Sequence, residues 1–241
     1  MQELFIRGLS VDWSRVAPDA WLRSVPALAG LESLEFQCPV TFFAGENATG
    51  KSTLLEAIAV ACGFNPEGGT INYRFSTWDE TPPLAEALRL VRSHRKARTG
   101  YFFRAESFFN VATRAAAYDA ENPRGPSFGD RGLHEQSHGQ GFLSFFQAFD
   151  GPGLYLMDEP EAALSPQRQL TLLLHMIRLT GLGAQILAAT HSPLLLGLPG
   201  AQILSFDGGA IHPIPWEETD SYQVTRLFLD HRELVLRHLT E

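Results

Sequence analysis

The sequence has only two cysteines, Cys38 and Cys62, and they lack CxxC spacing. That excludes a disulfide framework and leaves no zinc-site signature. No apolar run approaches the ~20 residues that a membrane-spanning helix needs. The opening "MQELFIRGLSVDW" has neither the basic nor the apolar segment of a secretion signal. The expectation is an intracellular, cytoplasmic chain with no direct membrane insertion. Internal repeats, low-complexity tracts and heptad runs are missing too. Positive charge is in short supply: 19 Lys and Arg stand against 27 Asp and Glu, a net charge of −8. That argues against non-specific nucleic-acid binding over a broad surface. One local exception is the crowd of Arg89, Arg92, Arg95, Lys96 and Arg98. It reads as a solvated helix end and loop, or else as a contact with phosphates or an acidic partner.

What the chain does have is the means to build a core. Its 241 residues are 44% hydrophobic and 19% charged, enough for one large domain or two small ones. "ELFIRGLSVD" and "LESLEFQ" read as strands, and "VTFFAG" as a strand buried on both faces. "KSTLLEAIAVACG" has helical apolar spacing and stops at Gly63. "GGTINYRFST" reads as a strand and residues 84–98 as a helix. "TGYFFRAE" is a strand, "SFFNVATRAAAYD" a helix capped by Ser107, and "FLSFFQAF" a short apolar helix. "GLYLMDEP" and "AQILAAT" are buried strands, separated by a helix that opens on Pro166 and closes at Gly181. "QILSFDGGAIHPI" is a hairpin with a Gly-Gly turn, and residues 221–239 form one final helix. Buried strands alternating with helices predict an α/β domain with a mostly parallel sheet flanked by helices.

Three stretches carry chemistry. Gly45, Glu46, Asn47, Ala48, Thr49, Gly50, Lys51 and Ser52 fit G-x-x-x-x-G-K-[ST], between an apolar strand and an apolar-faced helix that continues through Thr53. Glycines let such a loop curl so that its N–H groups point at phosphate oxygens, above a positive helix N-terminus. Lys51 can reach the β- and γ-phosphates, and the Ser52 hydroxyl can ligate Mg²⁺. "LYLMDE" then delivers Asp158 and Glu159 at the carboxyl end of a strand, where ligands of parallel sheets sit. Asp158 can hold Mg²⁺ through a water, and Glu159 can polarise the attacking water as general base. Thr190, His191 and Ser192 leave the next buried strand, expected on the same sheet edge, where the imidazole can bond a γ-phosphate.

"QSHGQ" raises a different possibility, because Ser137 sits beside His138. Adjacent side chains diverge on most backbones and no acid partner follows, so a Ser-His hydrolase is not supported. At Ser137, Gly139 and Gln140, the chain resembles the Leu-Ser-Gly-Gly-Gln signature of the ATP-binding-cassette (ABC) superfamily. His138 replaces the first glycine. The "EPEAALSP" run at 159–166 resembles that family's D-loop in its soluble branch: recombination and repair ATPases, chromosome-maintenance proteins and overcoming-lysogenisation-defect nucleases. Runs such as "FRAESFFN" are similar to those of small stand-alone bacterial AAA-family ATPases.

The resemblance implies a P-loop NTPase fold with N-terminal antiparallel strands. It implies a single domain over 1–241, with a helical signature lobe at about 77–149 inserted in the nucleotide-binding core. It further implies ATP and Mg²⁺ as cofactors, and an ATP-dependent homodimer. In that dimer Ser137, His138, Gly139 and Gln140 cap the other protomer's ATP in trans. Where the family has a metal-contacting glutamine, Glu106 is the nearest residue here. Phe5, Trp13 and Trp21 are candidates for an adenine-stacking aromatic. The expected role is a switch or motor for a separate protein partner, with DNA repair or defence among the settings implied. The alternatives are the nucleotide-binding subunit of a membrane transporter and a non-hydrolysing nucleotide sensor. Intact Glu159 and His191 count against the sensor. Neither coiled-coil arms nor a nuclease motif is evident, so any nucleic acid would come through partners.

Overall fold

The computed structural model describes residues 3–71, 82–107, 141, 144 and 146–241. Its strands form two sheets. Strand β1 (Ile6–Val11) lies between β2 (Ser33–Glu35) and β5 (Leu88–Arg92) in an antiparallel three-stranded sheet. The larger sheet has seven strands among the described residues, in the order β10-β9-β3-β8-β7-β6-β4. Its members are β3 (Val40–Ala44), β4 (Gly69–Thr70), β6 (Gly100–Arg104), β7 (Leu154–Asp158), β8 (Gln185–Ala189), β9 (Gln202–Ser205) and β10 (His212–Pro213). The central pairs are all parallel, and only β4 and β10 at the two edges run antiparallel.

The apolar runs explain this sheet. Successive side chains of a strand point to opposite faces, and here both faces are covered. Phe43, Phe102, Leu154, Leu156 and Leu187 join one core cluster, while Phe42, Tyr101, Phe103, Tyr155 and Ile186 join the other. Helix α2 (Lys51–Cys62) belongs to the first cluster. It lies between the two sheets and buries Leu54, Leu55, Ala57, Ile58 and Ala59 over rather more than half of its circumference. Gly63 ends it in the left-handed conformation. Helix α4 (Pro166–Gly181) covers the second face with Leu172, His175, Met176 and Leu179, the i, i+3, i+4, i+7 stripe of an amphipathic helix.

Side chains stitch the two sheets: Gln202 Nε2 of β9 donates to the Glu35 carbonyl of β2 at 3.1 Å, and a more buried tie comes from β8. Gln185, at the start of β8, is 1% exposed. Its Oε1 accepts from the N–H groups of Phe5 (2.8 Å) and Ile6 (2.9 Å), and its Nε2 donates to the Ile6 carbonyl (2.8 Å). Gln185→Leu leaves two buried donors and one acceptor without partners. The expected loss is about 3 kcal/mol of stability, read as a lower urea midpoint with an unchanged slope.

Two predicted elements differ. Residues 84–98 form no helix beyond α3 (Pro83–Ala87); the chain continues directly into β5. Pairing with β1, from Val11↔Leu88 to Ile6↔Arg92, overrides the local propensity. Within the predicted 77–149 lobe, Leu88–Arg92 and Gly100–Arg104 are strands of the two sheets. The final helix is two: α6 (Asp220–Asp230) and α7 (Arg232–Thr240) break at His231, whose φ of −134° and ψ of 40° are non-helical. Between α4 and these lies the short α5 (Pro193–Leu196). Neither α6 nor α7 has a buried residue, and Val224, Leu227, Leu229 and Leu239 stand open.

Three arginines of the crowd make contacts within the chain at its surface. Arg89 pairs with Asp12 at 3.1 Å, Arg92 donates to the Ala61 carbonyl, and Arg95 lies over the Phe5 ring at 4.3 Å.

Candidate active site

Register places the site. Across the sheet, Phe43 is level with Ala189, Ala189 with Asp158, and Asp158 with Arg104. The next residues of four parallel strands, Ala44, Thr190, Glu159 and Ala105, therefore emerge along one carboxyl edge. The predicted adjacency of the His191 and Asp158 strands is observed.

The 45–52 loop needs its glycines for two reasons. Gly45 has φ +135°, and a Cβ there would meet the Asp207 carboxylate at 2.9 Å. Gly50 has φ +100°, and its Cβ would meet Leu28 at 2.8 Å. Among the described residues, Ala48 (φ 64°) and Glu159 (φ 50°) are the non-glycines at positive φ. Both lie at this edge, and backbone strain of this kind gathers at functional sites. Glu46, Asn47 and Ala48 are exposed, so the loop's outer face is open to a ligand.

Lys51 is buried, and its Nζ donates to the carbonyls of Gly45 (2.7 Å) and Glu46 (2.6 Å). Burial lowers its pKa, and the charges of Asp207, Glu159, Asp158 and Glu46 oppose that shift. The Ser52 hydroxyl donates to Asp158 Oδ1 at 2.8 Å, across 106 residues of sequence. Asp158 is 6% exposed, and burial pushes its carboxyl up to about 6, against the Ser52 hydrogen bond and the Arg104 charge. Glu159 is exposed, with its N–H donating to the Ala189 carbonyl at 3.0 Å. His191 Nε2 is buried and has no hydrogen-bond partner among the described residues. A cavity of about 430 Å³ opens beside the loop, lined by Gly45, Glu46, His191 and Asp207 and roofed by Ser221 and Val224 of α6.

Several residues at this edge are not singled out by sequence reasoning. Asp207, just after β9, accepts from the Glu46 N–H at 2.9 Å and so fixes the start of the loop. Arg104 ends β6 with its side chain 15% exposed; it pairs with Glu56 (2.9 Å), Glu106 (2.6 Å) and Asp158 (3.6 Å). Glu106 is therefore tied to an arginine in this arrangement. Glu161 accepts from the His191 N–H at 2.6 Å. No local pattern marks these contacts, since Asp207 and Glu161 lie 161 and 30 residues from their partners. Of the aromatic candidates, Phe5 is buried in the core, and Trp13 donates through Nε1 to the Leu31 carbonyl. Trp21 stands 59% exposed at the start of the segment whose Val25 and Leu28 pack on Gly50. The signature residues Ser137, His138, Gly139 and Gln140 lie outside the described residues.

The donor set suits a hard divalent cation. Ser52 and Asp158 offer oxygen only, and the Asp158 carboxylate is desolvated without a full compensating charge. Mg²⁺ takes one or two protein oxygens and completes its shell with phosphates and water. No group of three or more His, Cys, Asp or Glu side chains that could hold a metal occurs among the described residues.

A phosphate loop tied to a strand-end Asp-Glu pair, beside an antiparallel N-terminal sheet, is the arrangement of a P-loop nucleotide-binding domain, and in it the chain is similar to ABC-type ATPases. Comparison with known proteins finds similarity to AAA domains and to an ABC-type ATP-binding protein. A family profile described as an AAA domain of the AbiEii-toxin, type IV TA-system kind matches residues 140–197. Another, described as an AAA domain, matches residues 22–86. Each spans under half of the chain. The hemin import ATP-binding protein HmuV of Rhodopseudomonas palustris is 26% identical over 185 residues, 69% of this chain and 68% of that protein. Among solved structures, the SMC head domain from Thermotoga maritima covers 88% of this chain and 100% of its own, at 15% identity and a TM-score of 0.44. An ATP-binding cassette of an ABC transporter covers 98% of both chains, at 16% identity and a TM-score of 0.46.

Proposed function

We propose that the protein hydrolyses Mg-ATP at composite sites of an ATP-dependent homodimer, and works as a switch or motor for a separate protein partner. The Ser52–Asp158 hydrogen bond carries this reading. It joins the phosphate loop to the strand end that also bears Glu159, one strand away from His191. In this reading the N–H groups of 46–52 bind the phosphates, with Lys51 turning from the Gly45 and Glu46 carbonyls toward them. Ser52 and Asp158 hold Mg²⁺, and Glu106 joins them only on leaving Arg104. The ion supplies charge neutralisation on the β- and γ-oxygens. Glu159 takes the proton of the attacking water. His191 Nε2, without a partner among the described residues, donates to the terminal phosphate. Trp21 is the candidate adenine platform. Ser137, His138, Gly139 and Gln140 complete the site from the other protomer. The proposed setting is the cytoplasm; no helix among the described residues is long and apolar enough to cross a membrane.

A second reading is the nucleotide-binding subunit of a transporter, favoured by the similarity to the hemin import ATP-binding protein. Purification from its native cell with Glu159→Gln in ATP separates the two readings. A co-purifying protein with membrane spans supports the second, and a soluble partner supports the first. The site itself is tested with Lys51→Ala. Its Mg-ATP affinity by calorimetry should fall about 10²-fold or more, the scale of a lost buried charge contact with phosphate. Unchanged affinity places the nucleotide elsewhere.

A further inference from the structure

The 190–192 turn is held from below by the segment that follows β7. Thr190 makes the last rung with β3, its N–H donating to the Phe43 carbonyl at 3.2 Å. The chain then leaves the sheet, and the direction of His191 depends on what catches the next peptide. The Glu161 carboxylate catches it, accepting the His191 N–H at 2.6 Å. A charge-assisted bond of this length is among the stronger hydrogen bonds in proteins. A second tie lies one residue on. Ser192 Oγ donates to Gln169 Oε1 at 2.6 Å, and Gln169 Nε2 donates to the Leu164 carbonyl at 3.0 Å. The same Ser192 Oγ accepts the Leu195 N–H at 3.2 Å and so caps α5.

Glu161 reaches this position because the chain doubles back at once after β7. Glu159 takes φ 50°, and the N–H of Ala162 then donates to the Glu159 carbonyl at 3.1 Å. Leu164 repeats the pattern, its N–H donating to the Glu161 carbonyl at 2.8 Å. The turn that presents Glu159 at the sheet edge is thus the one that sends Glu161 underneath His191. Burial raises the Glu161 carboxyl, and its bonds with Thr190 and His191 oppose that shift. A desolvated carboxylate is an expensive way to hold a loop.

We infer that Glu161 is a positioning residue: it fixes the His191 peptide from the segment after β7, and so couples the placement of the Glu159 turn to that of the His191 imidazole. Glu161 itself touches no reacting atom. Its kinetic consequence rests on the proposed hydrolysis; its structural consequence does not.

Three measurements test it. Amide exchange, read by NMR on the nucleotide-free protein, should quicken at least about 10-fold at His191 in Glu161→Ala, as for one lost strong hydrogen bond. Turnover should fall about 10-fold in Glu161→Ala, with Mg-ATP affinity unchanged within about 2-fold. Glu161→Gln keeps an acceptor oxygen of the same reach, so it should stay within about 3-fold of wild type in both readouts. In a His191→Ala background, Glu161→Ala should add no further loss of turnover, because its effect passes through the imidazole. Equal damage from Gln and Ala overturns the inference, as it would mean that the charge acts directly. A full additional loss in the His191→Ala background, or unaltered exchange at His191, overturns it as well. A wild-type protein that hydrolyses no ATP refutes the proposed function, and the exchange measurement then still decides the Glu161 inference.

Discussion

In Glu159→Gln, turnover drops about 10²-fold or more while Mg-ATP stays bound, the range expected for lost general-base catalysis. The side chain is exposed at the sheet edge, on a residue with φ 50° whose N–H is pinned to the Ala189 carbonyl. Glutamine keeps the size, the turn and that backbone bond. It removes only the ability to accept a proton from water. Asp158 and Ser52 are untouched, so the cation site and the loop persist. Binding by calorimetry should match wild type, and phosphate release should not. If hydrolysis reopens the dimer, the variant accumulates as dimer in ATP, seen by light scattering. A variant that releases phosphate at the wild-type rate removes Glu159 from this role.

The sequence shows the site's outline better than its supports. The phosphate loop, the Asp158–Glu159 pair and the His191 turn are each local patterns tied to a strand end, and the parallel register aligns them. The buried strands are legible for the same reason: runs such as "VTFFA" must be covered on both faces. What is missed is set by distant partners. Leu88–Arg92 reads as helix until β1 offers its edge. The break at His231 has no Gly or Pro to announce it. Asp207 looks like an ordinary turn residue before Gly208 and Gly209, and only the folded chain brings it to the Glu46 N–H. Arg104 reads as the end of a strand, yet its guanidinium lies among three carboxylates beside the predicted metal position. Charged residues with long-range partners carry no periodicity, so no window of sequence reveals them.

If Ser137 caps the other protomer's ATP, two inactive variants should restore activity on mixing. Lys51→Ala loses the buried ammonium that faces the loop carbonyls but keeps its signature residues. Ser137→Arg keeps the loop and places a bulky cation in the capping position. Each alone has one damaged half in every composite site, so each should sit at background. A two-fold dimer sets each loop opposite the partner's signature. Random pairing of equal amounts makes about half of the dimers mixed, and each mixed dimer holds one doubly damaged site and one intact site. Activity should then return to about a quarter of wild type when the sites fire independently. Cooperativity between the sites is controlled by measuring ATP-dependent dimerisation on the same mixture, and by repeating the mixing with Glu159→Gln in place of Lys51→Ala. Glu159→Gln still binds nucleotide, so its mixed dimers close with both sites occupied. Mixed dimers that form in both experiments and release no phosphate in either rule out capping in trans, and so does a wild-type rate for Ser137→Arg alone.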